Sequence, residues 1–129
     1  LPAPCSLISA SEASASLGEA LTSLDSSADN DPDQISCTYI KGGTTPVFDV
    51  LIRAWTLTKF TTDTAKEPGP PKALNGIGTA AYTGMLDEGP VVLVWERGVA
   101  ITVYGPNPIT VDQLEFLAKV AVGQLDAPK

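Results

Sequence analysis

Histidine is missing from this chain of 129 residues. Its absence excludes Ser-His-Asp and Cys-His catalysis and every histidine-ligated zinc or haem site. Cysteine is scarce: Cys5 and Cys37 are the only two. Two thiols cannot complete a four-ligand metal site, and no C-x-x-C redox motif is present. Basic residues are few, with 8 Lys+Arg against 15 Asp+Glu and a formal net charge of −7. They are spread from Lys41 to Lys129, which argues against nucleic acid as a partner, because phosphate binding needs a clustered basic patch. Long apolar runs are also lacking. The longest, Val91 to Trp95, is far too short to cross a bilayer. The first residues carry neither the charged start nor the apolar stretch of a signal peptide, so any such segment is expected upstream of Leu1.

What remains is a globular composition. Hydrophobic residues make up 43% and charged residues 18% of a chain whose length suits one domain over 1–129 with a real core. The two cysteines are expected to pair, which implies an oxidising compartment. Closing a loop of about 30 residues would stabilise the fold by ~3–4 kcal/mol through lost unfolded-state entropy. Lipid modification of Cys5 is the competing reading. It is disfavoured by Pro4, which stands where signal peptidases want a small flexible residue.

Local signals organise the chain. Ser9-Ala10-Ser11-Glu12 reads as a capping box opening a helix to about Leu17, with Gly18 as its left-handed stop. Ile8 just ahead of the cap would staple onto Ala13. Asp25 to Asp33 is polar, contains Pro32 and reads as a loop. Gln34 to Ile40 alternates, and its Cys37 would reach back to Cys5 and pin the N-terminal helix against the sheet. Gly42-Gly43 and Pro46 make a hairpin turn into a strand from Val47 to Thr58, with Phe48, Val50, Ile52 and Ala54 on one face. Lys59 to Lys72 holds a proline run, read as a loop, with room for a short helix near Thr61 to Lys66. Asn75-Gly76-Ile77-Gly78 turns into Thr79 to Tyr82. Val91 to Trp95 and Val99 to Tyr104 pair around Glu96-Arg97-Gly98. Thr110 and Gln113 form a second capping box for a helix to about Leu125, whose stripe is Leu114, Leu117, Ala118, Ala121 and Leu125. Strands and helices do not alternate. The expected fold is therefore α+β, an antiparallel sheet of about five strands with N- and C-terminal helices packed on one face.

Three elements taken in order resemble a known family. They are Pro4-Cys5-Ser6-Leu7-Ile8 before a capped helix ending at Leu17-Gly18, then Cys37-Thr38-Tyr39, then Gly76-Ile77-Gly78-Thr79-Ala80-Ala81-Tyr82 before a hairpin and a C-terminal helix. The set resembles actinobacterial cell-envelope lipoproteins of a family with no assigned function, and it covers nearly the whole chain. The resemblance implies a protein outside the cytoplasmic membrane, held there by a lipid-bearing cysteine upstream of Leu1. It also implies that Cys5 and Cys37 are the family's paired cysteines. One departure is Thr79, where the family commonly carries an acidic residue. The resemblance transfers location and architecture, not chemistry.

Few residue patterns suggest a site. Asp29, Asp31 and Asp33 have the spacing of the first EF-hand ligands, but Pro32 intrudes, Gln34 replaces the sixth-position glycine and Ile40 the final glutamate. A solvated turn is the expectation. Gly76-x-Gly78 lacks the third glycine and flanking elements of a nucleotide fingerprint and reads as a positive-φ turn. Asp87 and Glu88 could act as acid and base but fall in an expected turn. No Ser-x-x-Lys or Gly-x-Ser-x-Gly motif is present, and no constellation supplies a base, a nucleophile and an oxyanion site together. Trp55, Trp95, Tyr39, Tyr82 and Tyr104 all fall on expected strands, where aromatics either fill the core or line a binding surface. Trp55, out of phase with the Phe48 to Ala54 face, is the best surface candidate. Trp95 and Tyr104 join it, as residues on two arms of one hairpin. The expectation is a non-catalytic binding or accessory domain with no cofactor and no metal, whose partner is an envelope protein, lipid or cell-wall component. A purely structural envelope module is the alternative, and an enzyme is third.

Overall fold

The computed structural model describes residues 2–27, 34–66 and 71–126. Both capping boxes are present. The Ser9 hydroxyl accepts from the Glu12 amide and the Glu12 carboxylate accepts from the Ser9 amide, each at 3.0 Å, opening α2 (Ala10–Leu17). Gly18, at φ 68°, ends it. Thr110 and Gln113 exchange the same pair of bonds at the start of α4 (Val111–Asp126). These contacts satisfy amides that the first helical turn leaves without partners. A four-residue helix, α1 (Pro4–Leu7), precedes α2 and carries Cys5.

The strands form one antiparallel sheet in the order β1-β2-β3-β7-β6-β5-β4. They are β1 (Leu21–Ser27), β2 (Gln34–Lys41), β3 (Thr45–Arg53), β4 (Lys72–Leu74), β5 (Ala80–Met85), β6 (Pro90–Glu96) and β7 (Val99–Tyr104). The fold class is thus α+β with an antiparallel sheet, as expected, but with seven strands rather than about five. The two additional strands are its edges. β1 has no alternation to betray it, since Leu21 is buried while Leu24 is 56% exposed, and its polar end runs into the segment read as a loop. β4 is only three residues long and follows the proline run. The strand read as Val47 to Thr58 ends at Arg53, because Thr56 caps a helix: its hydroxyl accepts from the Lys59 amide and α3 (Leu57–Thr64) follows. Ala54 is consequently exposed and does not extend the Phe48-Val50-Ile52 face.

Period-2 alternation gives the sheet two faces. The inner face carries Cys37, Tyr39, Phe48, Val50, Ile52, Val92, Val94, Ile101 and Val103, all buried under α1, α2 and α4. Tyr39 stacks on Phe48 with ring centroids 4.2 Å apart, and its hydroxyl donates to the Ile8 carbonyl, so its one polar atom is satisfied inside the core. Burial pushes the Tyr39 hydroxyl pKa upward, with Glu12 adding to the effect. The Cys5–Cys37 disulfide joins α1 to this face across a sequence separation of 32. A bond of this kind forms and persists in oxidising surroundings. No helix among the described residues is long and apolar enough to cross a membrane.

Candidate functional site

The outer face of the sheet is built from the other phase of the same strands. Register places Thr38, Asp49, Tyr104, Val91 and Gly84 in one cross-strand row. A second row runs Ser36, Leu51, Thr102, Leu93 and Tyr82, and a third Gln34, Arg53, Ala100, Trp95 and Ala80. The face is therefore polar on β2 and apolar on β6 and β5. Among the described residues only α3 lies on the apolar part, where Phe60 packs with Val91, Leu93 and Ala100 and meets Tyr82 at 5.9 Å. The α3 helix does not span the face. Beside it lies an open groove of about 460 Å³, floored by Leu51, Leu93, Thr102 and Val91 and walled by the Met85–Glu88 turn, Arg53 and Tyr104. Met85 is 61% exposed at its rim.

Electrostatics divide the groove along its length. Tyr104 lines one end, and Asp49, its cross-strand partner, stands next to the groove rather than in its lining. The Thr38 hydroxyl donates to Asp49. Burial raises the Asp49 pKa above the usual carboxylate value; the Thr38 bond opposes this and Glu88 adds to it. Burial likewise raises the Tyr104 hydroxyl, reinforced by Asp49 and Glu88 and opposed by Arg53. At the other end, the Arg53 Nε donates to Gln34 Oε1 at 2.9 Å and the guanidinium lies 4.7 Å over the Trp55 ring. Lys59 Nζ is 4.9 Å from the same ring, so two cations lie against Trp55.

The three aromatics singled out from sequence are only partly brought together. Trp55 lies beyond the end of β3 rather than on a strand, because the chain turns there into α3. It touches Trp95 through its backbone: the Trp95 indole donates to the Trp55 carbonyl at 2.8 Å. Both are half-buried against the Phe60 cluster, next to the groove rather than in its lining. Tyr104 does line it. Trp95 and Tyr104 share the outer face, but Trp95 pairs with Ala100 and Tyr104 with Val91, which separates them along the hairpin. Asp49, Arg53, Met85 and Glu88 were not assigned to a binding site from sequence. No local pattern marks these four; the one signal for a covered outer face is β6, where Val91 to Val94 is apolar at every position, as in a strand covered on both faces.

Other sequence candidates resolve differently. Gly78 has φ 59°, and a Cβ there would sit 2.7 Å from Val94 Cγ1. The Thr79 amide donates to the Trp95 carbonyl at 3.0 Å, and the Thr79 hydroxyl to Glu96 at 2.6 Å. The Gly-x-Gly turn is thus occupied in docking onto β6, with Ile77 buried in the core. Asp29, Asp31 and Asp33 lie outside the described residues. Among the described residues no three His, Cys, Asp or Glu converge that could hold a metal ion. A second cavity, of about 410 Å³, lies on another side, between Lys41, Val47, Pro108, Ile109 and Gln113. No family model matches the chain, and no curated protein matches it significantly.

Proposed function

We propose that this chain is a non-catalytic binding domain of an extracytoplasmic protein, and that the outer-face groove is its binding surface. The observation that carries the reading is the unequal cover of the sheet. Three helices close the inner face, whereas α3 covers Val91 and Leu93 but leaves a groove open between Arg53 and the Met85–Glu88 turn, where Leu51, Leu86, Thr102 and Tyr104 are only half-buried. The volume lies in the range of small-ligand sites, and an apolar floor with a few placed polar groups is what such sites use. The disulfide and the acidic surface suit a location outside the cytoplasm. Resemblance to the actinobacterial envelope lipoproteins narrows that location to the cell envelope, with an envelope protein, lipid or cell-wall component as partner.

The reading is tested by immobilising the domain, passing actinobacterial envelope extract over it and repeating with Thr102→Trp, which fills the groove floor. The expected result is a component retained by the wild type, lost by the variant and recovered chemically unchanged. Equal retention by both proteins would show that binding does not use the groove, and chemical conversion of the component would show that the domain is catalytic.

A further inference from the structure

The groove is asymmetric in charge, and the asymmetry selects an occupant. Three carboxylates, Asp49, Asp87 and Glu88, stand at or near one end, and Arg53 stands at the other. Arg53 and Asp49 are four residues apart on one strand, roughly 13 Å at ordinary strand rise. Arg53 is occupied there with Gln34 and the Trp55 ring. Among the described residues, the ion pairs of this protein join Lys41 to Glu19, Lys59 and Lys66 to Asp63, and Arg97 to Asp126. None of them neutralises the acidic end of the groove.

We propose that the groove takes an amphiphile with a cationic head group, such as a primary ammonium, seated at Glu88 and Tyr104 beside Asp49, with its apolar chain lying along Leu51 and Leu86. The proposal rests on the reading of the groove as the binding surface and names its ligand class. Thr38 orients the Asp49 carboxylate and Tyr104 supplies a hydroxyl beside it. Asp49 is half-buried beside the exposed Glu88, whose charge acts on it, and a ligand cation offsets that repulsion as it binds. Asp49 and Tyr104 are both raised, by burial first; Glu88 adds to both and Asp49 to Tyr104, while Thr38 opposes the shift of Asp49 and Arg53 that of Tyr104. An anionic amphiphile would meet the opposite field at this end and could be held only at Arg53. The net charge of −7 over the whole molecule favours approach of a cation in the same sense.

The test is calorimetric titration of the whole domain with octylammonium, octanoate and octan-1-ol at low salt. Octylammonium is expected to bind about tenfold more tightly than octanoate. Asp49→Asn and Glu88→Gln should each weaken octylammonium about threefold to tenfold and leave octan-1-ol unchanged. Thr102→Trp, or Leu51→Trp from the adjoining strand, should abolish binding of all three, each variant first shown to melt like the wild type. Octanoate binding as tightly as octylammonium, and lost in the blocked variants, would overturn the cationic head group while leaving the groove as the binding surface. No binding of any probe, or binding that neither block alters, would overturn both.

Discussion

Asp49 has the setting least suited to its type. It sits half-buried on the outer face, its carboxyl raised by burial, held against that by Thr38 and raised further by Glu88. Tyr104 on β7 and Arg53 further along its own strand complete the titratable and charged groups around it. The folded protein therefore holds the Asp49 proton more tightly than the unfolded chain does. Stability from this residue is greatest below the ordinary carboxylate pKa and falls as pH rises through the raised one. Asp49→Asn keeps an acceptor for Thr38 and removes the charge. It should raise the melting temperature at pH 7, and the gain should shrink toward zero at pH 3, as thermal melts at the two pH values would reveal. A gain equal at both pH values would mean that the charge is not the cause. Gly78 makes the opposite kind of demand. Its positive φ coincides with a Cβ position 2.7 Å from Val94 Cγ1 and 3.0 Å from the Trp95 carbonyl oxygen, whereas Gly76, at φ 86°, has open space. Gly78→Ala is expected to cost about 2–3 kcal/mol and Gly76→Ala about 1 kcal/mol in urea unfolding. Equal costs would show that the close approach to β6 does not matter.

At the scale of elements, what could be read from sequence followed local chemistry. The caps at Ser9 and Thr110, the stop at Gly18, the two hairpins and the apolar stripe of α4 are each encoded by residues within a few positions of one another, and each is present. The edges were not legible. β1 and β4 owe their conformation to ladders with β2 and β5, and neither has the alternation that a half-buried strand shows. The end of β3 was misplaced for a related reason. Trp55-Thr56-Leu57 continues a good strand composition, and only the Thr56 cap, weaker in outline than the Ser9 box because it lacks a reciprocal acid, turns the chain into α3. The disulfide joins two of the legible elements. With 32 residues separating its ends, replacing both cysteines by alanine should cost about 3–4 kcal/mol in chemical denaturation. It should also loosen α1 first, seen as faster amide exchange at Cys5 to Leu7 than in α4. Uniform loss of protection across the fold would argue that the bond stabilises the whole sheet rather than the docking of α1.

At the scale of the molecule, the sheet has one face closed by three helices and one face closed by a single helix over part of its area. The first face is legible in the sequence, because Phe48, Val50 and Ile52 point at it with the right period and the capped helices supply its cover. The second face is not, because the groove is assembled from three cross-strand rows whose members lie far apart in the chain. Tyr104 was picked out as an aromatic, but Asp49, Arg53 and Glu88 gain their significance only from register and from the turn folding beside them. The outer-face groove is the proposed place of partner binding. This placement is tested most directly by amide chemical shifts of the isotope-labelled domain, recorded as the component captured from envelope extract is added. Shifts are expected to concentrate at Arg53, Val91, Leu93, Thr102 and Tyr104. Shifts concentrated instead around Lys41, Val47, Ile109 and Gln113, or along the exposed side of α4 at Phe116, would contradict it.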